Sequence, residues 1–416
     1  MERYKLGELI DVTRGASLAG DNYATEGELV RLTLGNFDYQ SNGFKQNSSK
    51  DNIFYNGEVD SSFILEEGDI ITPLTEQAIG LLGSTAKIPE SGKYIQSQDV
   101  ALVKVKSEKL VHDFAYYLLP TASVKKQLSA GAQQTSIRHT SPDKIKDCTV
   151  YIPEPTEQQK IADFLNQIEE KIAINKKENE TLEAMAKQLY DYWFIQFDFP
   201  DANGRPYKTS GGKMVWNKTL KREIPEGWEV KNLPYIASFT NGLACQRFRP
   251  TGDDCGLPVI KISNMHGEKS NEKEFVKSDI PESVKVYDGD ILFSWSASLE
   301  VIIWAYGIGG LNQHIFKVTE KNGYSKYFVY HKLLGYVDQF RRIAQARKTT
   351  MGHITSDHLN QSTIEIPVNE IIYKSFDKEV APIYSRIISN SQEVIKLQGL
   401  KDFILPLLMT GQVTIE

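Results

Sequence analysis

Cysteine is scarce: Cys148, Cys245 and Cys255 are the three in a chain of 416 residues. Three cannot build a disulfide framework, so a reducing cytosol is the expected setting. No apolar run approaches the roughly 18 residues that cross a membrane, and the first residues lack the apolar stretch of a secretory signal. Glycine (29) and proline (16) are too few for a disordered or collagen-like chain. Catalytic signatures are also missing. There is no Gly-x-x-x-x-Gly-Lys-Ser/Thr phosphate loop, and Gly307–Gly310 fits no dinucleotide fingerprint. No Asn-Pro-Pro-aromatic run of the amino-methyltransferase type occurs. A nuclease-like Pro-Asp…Glu-x-Lys pattern occurs at Pro200-Asp201…Glu229–Lys231 and at Pro142-Asp143…Glu169–Lys171, but in a linker and on a helix, where a nuclease needs a strand edge. Cys245 and Cys255, ten apart, and His353 and His358, five apart, have no metal-ligand spacing. No catalytic residue and no metal ligand is assigned.

The chain does contain a repeat. Thr135–Pro153 (TSIRHTSPDKIKDCTVYIP) and Thr349–Pro367 (TTMGHITSDHLNQSTIEIP) share six of 19 positions at an offset of 214, among them His139/His353, Asp143/Asp357 and Pro153/Pro367. Gly68-Asp69-Ile70 returns as Gly289-Asp290-Ile291, and Asn36 after VRLTLG returns as Asn264 after VIKIS. The strand-like run Ala101–Val105 is echoed by Ile315–Val318. Matches in the same order within divergent copies predict two domains of one mixed α/β fold, with loops that contact different things.

After each Ile-Pro the pattern becomes helical. Ile161, Leu165, Ile168, Ile172, Asn175, Asn179, Leu182, Ala186, Leu189 and Trp193 alternate steps of four and three. Phe376, Val380, Ile383, Ile387, Asn390, Val394, Leu397, Lys401, Ile404 and Leu408 do the same at an offset of 215, which sets Asn175 on Asn390. Steps averaging 3.5 form one seam, the coiled-coil condition. Thr156 with Gln159 suggests a capping box at the first helix start, and Pro382 should kink the second. The expected organisation is a first domain over 1–153, a long helix over 154–197, a linker over 198–227, a second domain over 228–368 and a second long helix over 369–416. If antiparallel, the helices form a coil roughly 50–60 Å long that holds the two domains apart.

The net charge, 48 − 54 = −6, argues against nucleic acid, but its distribution does not. Thr121–Lys146 carries Lys125, Lys126, Arg138, Lys144 and Lys146 against Asp143; Lys326–Lys348 carries Lys326, Lys332, Arg341, Arg342, Arg347 and Lys348 against Asp338. Gln133, Gln134, Thr135 and Thr349 lie among them, and Arg14, Arg31, Arg247 and Arg249 fall in loop-like positions near each domain's start. Basic side chains position a protein on phosphates, while Arg, Gln and Asn read base edges. Recurrence of the basic run in both copies points to nucleic acid.

Four segments then resemble the specificity subunits of type I restriction-modification systems: YIPEPTEQQKIADFL, ENETLEAMAKQLYDYWFIQFDFP, NGRPYKTSGGKMVWN…REIPEGWEV and LKDFILPLLMTGQV. The second helix departs from that pattern, lacking Glu-Gln after its Ile-Pro. The resemblance implies two target recognition domains separated by an antiparallel coiled coil, which read a bipartite, asymmetric DNA site across an unread spacer. It also implies a non-catalytic chain in the cytoplasm, partnered by two modification subunits and by restriction subunits. Those partners would use S-adenosylmethionine, ATP and Mg²⁺. The competing reading is a coiled-coil scaffold that binds only proteins.

Overall fold

The structure, a computed structural model, describes residues 1–415 except 40, 48–50, 77–79, 132–137, 266–273, 297 and 347–353. The chain divides into two compact units, Met1–Lys171 with Leu397–Glu416, and Ile172–Lys396, so each unit takes part of both long helices.

In the first unit, strand Glu2–Lys5 runs antiparallel to Thr149–Ile152, pairing Glu2 with Ile152. The start of the domain is thereby tied to the strand that leads into the first long helix. A four-stranded antiparallel sheet has the order Ile10–Arg14, Val100–Val105, Ile70–Pro73, Ala86–Lys87. Its strand Val100–Val105 is apolar on both sides, as a strand covered on both faces must be. Ala101 and Val103 enter a core with Ile10, Phe114 and Leu165; Val100 and Leu102 enter another with Val30, Phe37 and Tyr94. That second core underlies five short strands, in which Val30–Arg31 lies parallel to Tyr94–Ile95.

The second unit repeats this plan. Trp228–Lys231 pairs antiparallel with Ile364–Pro367. Its four-stranded sheet has the order Ala237–Asn241, Ile315–Glu320, Ile291–Ser294, Glu300–Ile303, and Leu257–Ile260 lies parallel to Gly309–Leu311. Ile291 and Phe293 face one core and Leu292 another. The repeated Gly-Asp serves one purpose in both copies. Gly68 and Gly289 adopt φ of +84° and +89°, a region costly for any residue with a side chain. Asp69 and Asp290 accept from the backbone N–H of Glu66 (3.1 Å) and Tyr287 (2.8 Å), and Lys104 and Lys317 pair with those carboxylates. Asn36 and Asn264 accept from the N–H groups of Thr33 (2.9 Å) and Lys261 (2.8 Å). The scattered identities of the repeat are hydrogen-bonded corners.

The long helices are Pro155–Tyr190 and Glu370–Met409, of 36 and 40 residues, and the first ends in a π-helical turn, Asp191–Ile195. Every seam position predicted from the heptads is buried or half-buried. In the first unit Glu169 pairs with Lys401 at 2.6 Å and Lys160 donates to the Ile415 carbonyl at 3.2 Å. In the second, Asn175 donates to Glu393 at 2.7 Å and Glu178 accepts two bonds of 2.9 Å from Arg386. Ascending positions on one helix meet descending positions on the other, so the pairing is antiparallel in each unit.

One local expectation differs. Thr156 does not cap: the Glu154 carbonyl accepts from the N–H groups of Glu157 and Gln158, and Pro155 takes the first helical position, where its missing donor costs nothing. Gln159 bonds Asp163 instead, while buried Gln158 ties the helix start to the Lys109 and Pro153 carbonyls. The second helix stays unbroken through Pro382, which faces solvent, so the donor it lacks falls on the side where water can serve the Lys378 carbonyl. Among the described residues no helix is long and apolar enough to cross a membrane.

Candidate nucleic-acid interface

In each unit three segments meet at one end of the four-stranded sheet. In the first, the chain leaving Ile10–Arg14 reaches Ala16, which bridges Ser97 and donates to the Gln96 carbonyl at 2.9 Å. Leu74, just past Ile70–Pro73, donates its N–H to the Asp99 carbonyl at 2.8 Å, and Thr140 donates to the Leu74 carbonyl at 2.8 Å. In the second, Leu243 bridges Asn312 and donates to the Leu311 carbonyl at 2.8 Å; Trp295 donates to the His314 carbonyl at 3.3 Å, and Ile354 to the Trp295 carbonyl at 3.0 Å. A glycine allows the close crossing in both. A Cβ on Gly15 would lie 2.2 Å from the Gln96 oxygen, and one on Gly242 2.2 Å from the Asn312 oxygen.

Polar side chains gather around these crossings. The first unit has a cleft of about 450 Å³ lined by Tyr23, Arg31, Thr33, Asn47, Gln98 and Asp99, among others. The Arg31 guanidinium lies 3.9 Å over the Tyr23 ring and donates to the Asn52 carbonyl at 3.0 Å and 3.2 Å, so it is held in one pose. In the second unit the Trp295 indole N–H donates to Asn241 at 3.1 Å and its ring centre lies 5.5 Å from that of His314. Gln313 Nε2 lies 3.3 Å from His314 Nε2.

The residues predicted from sequence divide between this region and others. Arg14 is exposed at the strand end just before the Ala16 bridge, and Arg247 and Arg249 are exposed a few residues past the Leu243 bridge. Arg31 is largely buried in the cleft. Lys126 is exposed, but Lys125 turns toward Ser84 Oγ at 3.2 Å, and burial lowers its pKa. Arg341 is exposed yet bonded to Asp338 (2.7 Å) and the Leu299 carbonyl (2.9 Å); Arg342 is exposed beside it.

Lys332 cannot meet DNA. Its ammonium pairs with Glu365 at 2.8 Å and lies 5.6 to 6.0 Å from the ring centres of Tyr190, Phe194, Trp228 and Phe328. The basic run lies on a helix, Lys326–Ala346, and helical periodicity sends part of any such run inward. Gln133, Gln134, Thr135, Arg347, Lys348 and Thr349 lie outside the described residues. Arg138 is placed by its backbone, opposite Glu76.

The carboxylates Asp201 and Glu169 of the nuclease-like patterns are engaged in local bonds. Asp201 accepts from the N–H groups of Asn203 and Arg205 and pairs with the Arg205 guanidinium, bonds that hold its pKa down. Glu169 pairs with Lys401. Among the described residues no three His, Cys, Asp or Glu side chains gather as a metal site.

Sequence reasoning missed the triplets Ser97-Gln98-Asp99 and Asn312-Gln313-His314. A signal existed, because they directly precede the matched strands Val100–Val105 and Ile315–Glu320 at the helix offset of 215.

Residues 1–184 match the family described as type I restriction modification DNA specificity domain. The chain is 25% identical over 320 residues to the type I restriction enzyme MjaIX specificity subunit of Methanocaldococcus jannaschii, covering 75% of this chain and 71% of that one. It is 23% identical over 380 residues to the HindI specificity subunit of Haemophilus influenzae, covering 77% and 81%. The crystal structure of a type I restriction-modification S subunit from M. genitalium shares the fold, with a TM-score of 0.60 at 14% identity over 98% of this chain and 95% of that one. Over most of its length the chain is thus similar to the specificity subunits of type I restriction enzymes, and the match to the family's DNA specificity domain covers residues 1–184.

Proposed function

We propose that the chain is the address-reading subunit of a DNA modification and restriction complex. Each unit reads one half of a bipartite, asymmetric site through its converging segments, and the paired helices set the spacer. Two modification subunits, carrying the S-adenosylmethionine chemistry, methylate an adenine in each half. Restriction subunits, using ATP and Mg²⁺, act on unmodified DNA in the cytoplasm. This chain contributes recognition and no reaction step.

One observation carries the reading: a single backbone scaffold appears twice and displays a different polar set each time. Main-chain bonds from Leu74 to Asp99 and from Trp295 to His314 hold the geometry, so the side chains can change without disturbing the fold. Exposed Arg14, Arg247 and Arg249 near the crossings suit phosphate contacts. The test assembles the chain with its modification subunits and sequences the methylome of a host that carries them. The expected result is one motif with two unlike halves at a fixed spacing. A motif without two halves would reject the bipartite reading, and salt-insensitive association with protein alone would favour the scaffold.

A further inference from the structure

We infer that Ser97-Gln98-Asp99 and Asn312-Gln313-His314 are the base-reading elements of the two units, with Asp99 and His314 fixing how the half-sites differ. The inference rests on the DNA-reading function proposed above and names the residues that perform it.

The two triplets hold the same place in a duplicated fold. Each begins at the residue bridged by the chain just past the first sheet strand, at Ala16 and at Leu243. Each ends at the residue whose carbonyl accepts from the segment following the Ile70–Pro73 or Ile291–Ser294 strand. Each directly precedes the strand Val100–Val105 or Ile315–Glu320. The backbone of the third residue is therefore fixed by a main-chain bond, while its side chain has no part in that bond. A site that must present fixed geometry and changeable chemistry requires this division.

The side chains are of the types that read base edges. Gln98 and Gln313 place the same carboxamide in both units, the group that pairs with adenine N6 and N7. The third position differs in kind. The Asp99 carboxylate only accepts and suits a cytosine amino group, whereas the His314 imidazole, whose Nε2 accepts from the Gln313 amide in the free protein, can donate to a guanine or adenine acceptor once that contact is exchanged for the base. The first position is not the discriminator, because the Asn312 side-chain oxygen already accepts from the His314 N–H at 3.3 Å. In the first unit Asp99 and Gln98 share a cleft with Arg31, whose equivalent in the second unit is apolar: Arg31 stands opposite Ile95 in one parallel pair and Val259 opposite Gly310 in the other. Guanidinium-assisted readout is thus confined to one half-site.

The experiment uses the complete complex with its modification subunits. Asp99→His and His314→Asp are made separately, together with Gln98→Glu at an exposed position that the fold tolerates. Binding is measured against duplexes in which each base pair of the wild-type motif is changed in turn, and the methylated motif is read from host DNA. Asp99→His and Gln98→Glu should each shift base preference on the order of tenfold at one or two positions of a single half-site. His314→Asp should shift the other half, and the spacer should stay constant throughout. An unchanged preference profile, or weakening spread evenly over every duplex, overturns the assignment. Either result leaves the bipartite reading standing, since that reading fails only if the wild-type complex shows no two-part motif.

Discussion

The Asn390 side-chain amide donates to the Asn179 side-chain oxygen at 3.0 Å, across the seam between the long helices. Asn179 in turn donates to Ser391 Oγ at 3.1 Å and to the Ile387 carbonyl at 3.3 Å. Asn175, which the repeat aligns with Asn390, bonds Glu393 instead. In an antiparallel pair, equivalent positions meet only at the axis of the repeat, so a polar residue four positions along becomes the partner. A seam position this buried would pack better with an aliphatic residue. The amides oppose slippage, because a shifted alignment would bury Asn390 against Leu182, or Asn179 against Ile387 or Val394.

Asn390→Leu should therefore destabilise the second unit by about 1–2 kcal/mol, by removing one half of a buried hydrogen bond. Asn179→Leu with Asn390→Leu should recover most of that loss. A double-mutant cycle in urea measures the coupling. Strictly additive effects would show that the two amides do not act as a pair.

His331 gives the second unit an acid sensitivity. Its Nε2 lies 2.8 Å from the Tyr384 hydroxyl, its ring stacks 4.8 Å from Tyr190, and Tyr330 and Phe376 close the edges. Burial, reinforced by Lys187, pushes its pKa from 6.5 down to about 3. As pH falls through 6.5 the unfolded chain gains a proton on His331 that the fold refuses until about 3, so stability declines across that interval. The slope is at most about 1.4 kcal/mol per pH unit. His331→Gln, titrated with urea between pH 7 and 5, should lose stability less steeply than the parent. Matching slopes would remove His331 as the cause.

The sequence made the helices more legible than the reading surface, for a physical reason. A seam is constrained at every turn, and each of its positions from Ile161 to Leu408 must be apolar or specifically paired, so periodicity betrays it. The corners Asp69 and Asp290, or Asn36 and Asn264, are legible because one carboxylate or amide makes the same backbone bond twice. The triplets at 97–99 and 312–314 share only backbone bonds between the two units, those at Asp99 and His314, so their side chains were free to diverge and only Gln98/Gln313 marks the match. Lys332 misled in the opposite sense. Its charge suggested a DNA contact, but only the packing of the helix Lys326–Ala346 shows that it serves Glu365.

Arg247 and Arg249 are exposed, so their replacement by alanine should leave the fold intact and change only the ionic part of binding. If each neutralises a phosphate, the slope of log Kobs against log salt falls by about two in the double variant. Base preference should be unchanged, which separates these residues from the triplets. Titration of the complex on its cognate duplex at several salt concentrations makes the measurement. A full parental slope would place both arginines away from the DNA.

Lengthening the paired helices should lengthen the spacer between the half-sites. Adding one heptad to each, at matched positions, keeps the apolar seam in phase and lengthens the pair by about 10 Å at 1.5 Å per residue. That equals about three base pairs of duplex at 3.4 Å each. Four residues per helix would add roughly 6 Å, nearly two pairs, but would put a stutter in the seam and disturb its packing. The heptad variant, assembled with its modification subunits, should methylate the same two half-sites with a spacer about three pairs longer. The half-sites report on the reading triplets and the spacer on the helices, so one methylome separates the two. Unaltered half-sites at the original spacer would mean that the helices join the units without measuring the distance between the words they read.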